Sequence, residues 1–106
     1  VIEKVNKYFG DLDPDDVANA AERFEHILEA VSKDPALQQQ AANNPAEDLV
    51  HSPGVIRAIE DAQWQVDETE KRITDFIQQQ DPMVILEFLL KEMDLYGRLR
   101  RGSSTA

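Results

Sequence analysis

The sequence contains no cysteine. That rules out a disulfide framework and any thiolate metal site, and makes a reducing, cytoplasmic setting the default expectation. Aromatic residues are few: one Trp, two Tyr and four Phe in 106 residues. The core is therefore expected to be mainly Ile, Leu, Val and Ala, a composition suited to packed helices. No stretch approaches the roughly 20 apolar residues of a membrane span, and the N-terminus does not read as a signal peptide. The first residue is Val1 rather than Met, which suggests a piece excised from something longer. Positive charge is also scarce, with 11 basic against 21 acidic side chains and a formal net charge of −10. A body of that sign repels a phosphate backbone, so no direct contact with nucleic acid is expected. The basic residues gather late. Residues 91–106 hold Lys91, Arg98, Arg100 and Arg101 against Glu92 and Asp94, a net +2 that leaves −12 for the rest.

Proline, by contrast, is placed with a pattern. The five prolines follow Asp13, Asp34, Asn44, Ser52 and Asp81. Each preceding side chain can accept a hydrogen bond from a first-turn N–H, and proline fits the next position because its missing N–H would be unpaired there anyway. Asp16 and Glu47 add acids near two of these starts, where the helix dipole favours them. Five such pairs mark five helix starts.

Apolar spacing fills in the rest. Ile2, Val5, Tyr8 and Phe9 predict a short first helix ended by Gly10. Val17, Ala21, Phe24, Ile27, Leu28 and Val31 trace one face of a helix over about 14–33. A short helix is expected over 35–42, and another turn near 45–50. Val55, Ile59, Ala62, Val66, Thr69, Ile73 and Phe76 recur in steps of four and three, which predicts one long amphipathic helix from 53 to about 79. The last helix, 82–100, has apolar residues on more than one stripe, so it is either central to the core or covered in part by another chain. No alternating strand pattern or hairpin signal is present. The expected fold is all-α: a compact bundle of about five to six helices in one domain over 1–101, with a disordered tail at 102–106. The glutamine runs 38–40 and 78–80 read as solvated faces.

Chemistry finds little footing. Arg23 occupies the position three before His26, where a Glu-x-x-His metal pair needs its glutamate, and His51 reads as a cap-region surface residue. Asp11, Asp13, Asp15 and Asp16 alternate like calcium ligands, but Pro14 interrupts them and the required glycine is missing, so an acidic helix start is the better reading. No phosphate-cradling glycine loop or nucleophile-elbow serine is present. No catalytic residue, cofactor site or metal site is assigned, and the chain is not expected to be an enzyme by itself. Arg98, Arg100 and Arg101 read first as complements to a helix C-terminus.

The segment from Gln40 to Pro53 reads Gln-Ala-Ala-Asn-Asn-Pro-Ala-Glu-Asp-Leu-Val-His-Ser-Pro. It resembles the C-terminal region of the R (motor and endonuclease) subunits of type I restriction-modification enzymes. Gln40, Ala41, Asn44, Glu47, Leu49, Ser52 and Pro53 hold the places of that family's Gln-Ala-x-x-Asn-x-x-Glu-x-[aromatic or apolar]-x-x-Ser-Pro run. The closing Leu89-Leu90 … Leu95-Tyr96-Gly97-Arg98-Leu99-Arg100 looks like the family's final Leu-Tyr-x-x-Leu-Arg helix. The likeness covers roughly 37–101. It departs at Leu49, where an aromatic is usual, and at Pro45, where Ser or Thr is more common, and it does not extend to 1–34. It implies a non-catalytic assembly module that docks the ATP-dependent translocase and endonuclease subunit onto the methyltransferase (M subunit) core, with nuclease and motor lying elsewhere in the parent subunit. The expected partner surface is the outer part of the last helix, near Leu95, Tyr96, Leu99 and Arg100. Two other readings stay open: a free-standing acidic protein that mimics DNA or inhibits a DNA-binding enzyme, and a homodimer using helix 53–79 as its seam.

Overall fold

The computed structural model describes residues 2–10, 12–65 and 71–104. Among them every regular element is a helix: α1 (Ile2–Tyr8), α2 (Pro14–Ser32), α3 (Pro35–Asn43), α4 (Ala46–Leu49), α5 (Pro53–Trp64), α6 (Lys71–Gln78), α7 (Pro82–Glu92) and α8 (Leu95–Ser104). None of these helices is long and apolar enough to cross a membrane.

The proline logic holds at four of five positions, where proline opens the helix. Asp34 accepts from Ala36 N–H at 2.9 Å, Asp81 from Met83 N–H at 2.9 Å, and Ser52 from Val55 N–H at 3.4 Å. Asp13 sits at its N-cap position without a side-chain cap bond. The fifth start is shifted by one, because Pro45 is itself the N-cap of α4. Asn44 instead closes α3, its amide donating back to the Gln40 carbonyl at 3.0 Å.

Two helices expected to be continuous are divided, which raises the helix count above five to six. The stripe assigned to one helix over 53–79 is carried by α5 and α6. At Gln65 the backbone leaves the helix, its N–H bonding three residues back to the Ala62 carbonyl. Val66 and Thr69 of that stripe lie outside the described residues. Gln63 ties the two helices together: fully buried, it donates through Nε2 to the carbonyls of Ile77 and Gln80, both at 2.6 Å, while its Oε1 has no partner. It thereby satisfies carbonyls at the α6 C-terminus that a helix end leaves open.

The helix expected over 82–100 breaks at Asp94, whose φ of 55° lies in the left-handed region. Asp tolerates this conformation better than most residues, so the chain turns there and starts α8 afresh. Gly97 makes room for the turn, since a Cβ on it would meet an Asp94 carboxylate oxygen at 2.5 Å. Beyond the break α8 runs on to Ser104, through Gly102, where a disordered tail had been expected. Thr105 and Ala106 lie outside the described residues.

One continuous cluster of buried side chains draws on all eight of these helices. The long α2 packs against α1, α3, α5, α6 and α8. It buries Val17, Ala20, Ala21, Phe24, Ile27, Leu28 and Val31, the predicted stripe with Ala20 added. Of the two alternatives posed for the last helix, α7 takes the central one: Ile85, Leu86, Phe88 and Leu89 are each 0% exposed. A buried Phe or Leu contributes about 1.5–3 kcal/mol relative to leaving it in water. Asp16, at the acidic start of α2, turns inward to 5% exposure and meets Arg72 Nη2 of α6 at 2.7 Å.

Candidate partner interface

The residues singled out on the last helix divide into two kinds. Leu95 and Leu99 are 0% exposed, so both belong to the core and neither offers surface to a partner. They sit one and three residues from Tyr96, but on the side of α8 that faces the rest of the bundle. Tyr96 is half-buried and donates its hydroxyl to the Asn44 carbonyl at 2.7 Å. Arg100 is exposed, with its guanidinium carbon 5.8 Å from the centre of the Tyr96 ring and Nη1 donating to the tyrosine oxygen at 3.4 Å. Only Arg100 and one edge of Tyr96 remain reachable from outside.

The segment 40–53 comes together as a hydrogen-bonded corner. Ser52 Oγ donates to Gln40 Oε1 at 2.8 Å, linking the end of α3 to the start of α5. Gln40 also accepts, through its backbone carbonyl, the Asn44 amide, and Asn44 in turn accepts from Tyr96. Ala41 and Leu49 fill the corner's apolar side at 0% and 1% exposure. Pro53 opens α5, and Glu47 is exposed in the first turn of α4, where a carboxylate complements the dipole. Gln40, Ala41, Asn44, Leu49, Ser52 and Tyr96 thus act on one another. The glutamines read as a solvated face are partly recruited: Gln38 donates to the Ser32 carbonyl at 2.9 Å, and Gln80 reaches back to Phe76.

The basic residues near the C-terminus do three separate jobs. Arg101 pairs with Asp94 at 3.3 Å, Arg100 lies on Tyr96, and Arg98 faces Glu25, Glu29, Leu28 and Met93 across a shallow depression. Their roles as a helix-end complement apply at most to Arg101, which alone lies in the last turn of α8. His26 and His51 are both exposed, and among the described residues no group of three or more His, Cys, Asp or Glu side chains converges.

What the sequence reading missed is the outer face of α2. Asp15, Ala18, Glu22, Glu25 and Glu29 recur in steps of three and four, and all are exposed. Glu29 is paired with Lys33 of the same helix at 3.0 Å. That hydrogen bond, and then the lysine's charge, hold the Glu29 carboxyl below the usual glutamate range. The signal was present in the polar positions of the same helical period, which had been read for its apolar side only.

No protein-family model, no curated protein and no solved structure matches the chain.

Proposed function

We propose that this chain is a helical assembly module of a type I restriction-modification R subunit, docking the motor and endonuclease subunit onto the methyltransferase core. The observation that carries the reading is the corner around Gln40, Asn44, Ser52 and Tyr96. Three of the positions on which the resemblance rests, Gln40, Asn44 and Ser52, are joined by hydrogen bonds to one another and to Tyr96 of the closing helix. A pattern preserved by such a corner belongs to a folding unit rather than to an active site. The acidic outer face of α2 suits the same role, because a core that binds DNA presents basic surface and steers an acidic module towards it.

Calorimetric titration of the purified chain into a purified type I methyltransferase complex tests this, with an unrelated helical protein of equal charge as control. Saturable binding that survives moderate salt is the expected result. Absence of heat from a chain shown to be helical by circular dichroism removes the docking role.

The exposed carboxylates of α2 also favour the reading as an acidic mimic of DNA. In that case the chain displaces a DNA duplex from the complex instead of binding beside it, which a fluorescent-duplex competition decides. The homodimer reading rested on a seam along one helix over 53–79, and no single described helix carries that seam.

A further inference from the structure

Two open depressions lie along the outer side of α2 and share Glu25. The first, between α1 and α2, is lined by Ile2, Glu3, Ala18, Ala21, Glu22 and Glu25. The second, towards α7 and α8, is lined by Glu25, Leu28, Glu29, Met93 and Arg98. Together they form a trough following α2 from Ala18 to Glu29, a length of about 16 Å at the helical rise. Its floor at the first end is apolar: Ile2 is 53% exposed, a large aliphatic side chain left in water beside two alanines. Its rim is acidic. Glu3, Glu22 and Glu25 have no ion pair among the described residues, and Arg98 is the only basic residue in either lining.

That rim opposes the stability of the helix bearing it. Glu22 with Glu25, and Glu25 with Glu29, are like charges at the spacings where helical side chains meet, and such pairs are destabilising. A lysine at position 25 would turn both repulsions into attractions at no cost in packing, since the position is exposed. A surface that departs from the local optimum in this way is where function is sought. The combination of an apolar floor, unpaired carboxylates and a length of about three helical turns specifies an occupant.

We propose that the trough along α2 binds a basic amphipathic helix of a partner protein. Such a helix lays apolar residues spaced i, i+3/i+4, i+7 against Ile2, Ala18 and Ala21, with lysine or arginine flanking them to meet Glu3, Glu22 and Glu25. The surface differs from the α8 face first considered. It rests on the docking reading only for the identity of the partner, since the trough specifies the chemistry of the occupant whichever protein supplies it.

The test uses the whole chain and two probes: the methyltransferase complex, and a synthetic 14-residue helix of leucine and lysine with one apolar face. A peptide of the same composition with scrambled order is the control. Glu22→Lys combined with Glu25→Lys is the main variant, and Ala18→Gln, which fills the floor without changing charge, is the second. All three positions are exposed and thermal unfolding of each variant should match or exceed the parent, so loss of binding is not loss of fold. The expected result is that the chain binds the amphipathic peptide in preference to the scrambled one, and that each variant weakens it on the order of tenfold or more. Equal binding of both peptides, or binding indifferent to both variants, overturns the proposal. If the methyltransferase complex binds the parent and both variants alike, docking stands and the trough is not its site. If the peptide binds as described while the complex does not, the trough stands and the docking reading falls.

Discussion

Around Phe88 the bundle is held by rings. Phe9, Phe24 and Phe88 lie within 5.1–5.4 Å of one another, with Tyr8 5.3 Å from Phe88 and Phe76 5.7 Å from Phe9. All four phenylalanines of the chain meet there, though they are spread from position 9 to position 88. Where α3 packs against α4 and α8, aliphatic side chains pack instead, and the edges are fastened by Ser52–Gln40, Asn44–Gln40 and Tyr96–Asn44 hydrogen bonds. The first region draws its stability from area removed from water and from ring geometry. The second draws it from bonds that gain little individually but leave costly orphans when one partner is removed. One chain thus uses a non-directional glue where four helices converge and a directional one where short helices must turn at fixed angles.

If that division is right, the largest effect comes from the rings. Phe88→Ala removes a side chain that is 0% exposed and touches three other rings, and should cost about 3–5 kcal/mol. Against a typical domain stability of about 5–15 kcal/mol, that leaves the variant close to unfolding. Urea denaturation followed by circular dichroism measures it. A loss under 1 kcal/mol would mean the aromatic contact is dispensable and would break the comparison.

The corner should yield by smaller steps. Ser52→Ala removes both the α5 cap and the partner of Gln40, for a loss of about 1–2 kcal/mol. Tyr96→Phe keeps the ring and deletes only the hydroxyl that serves Asn44, for a loss of about 1 kcal/mol. Combining the two sharpens the picture: residues of one network should show a coupling of about 0.5 kcal/mol or more, whereas independent bonds would add. The same pair of changes combined with Phe88→Ala should be additive, because the rings and the corner share no partner.

The two regions also differ in how far the sequence discloses them. Helix starts at Pro14, Pro35, Pro53 and Pro82 were readable because a cap and a fixed φ are local properties. The corner residues were readable as a linear pattern, although not as mutual hydrogen bonds. The ring cluster was invisible, because nothing local links Phe9 to Phe88. The breaks at Gln65 and Asp94 were missed for a related reason. Apolar periodicity continues across both, and a stripe in steps of three and four looks the same whether one helix or two carries it. The aspartate itself was the available signal at the second break, lying within an apolar run and one residue before Leu95. On α8, hydrophobicity was taken as a mark of interface, but Leu95 and Leu99 are core, since a helix central to the bundle and one covered by a partner have the same composition.

The smallest expected effect separates surface charge from both kinds of glue. Glu29 is held below its ordinary range first by the hydrogen bond from Lys33, then by that lysine's charge, with lesser help from His26 and Arg98. A carboxylate whose folded value is lowered contributes stability that is fully present above its unfolded value. That contribution is lost as pH falls through the lowered folded value. Lys33→Ala should therefore return the Glu29 titration towards the usual glutamate range, read by carbon-13 shifts of the side-chain carboxyl across pH 2 to 6 (about two units either side of the ordinary glutamate value). The pair is exposed, so the shift should shrink in high salt, where the Debye length falls to about 3 Å at 1 M. The variant's unfolding midpoint at neutral pH should barely move. A marked fall there would mean that Lys33 holds the α2–α3 junction, and the corner would then extend one helix further than its hydrogen bonds indicate.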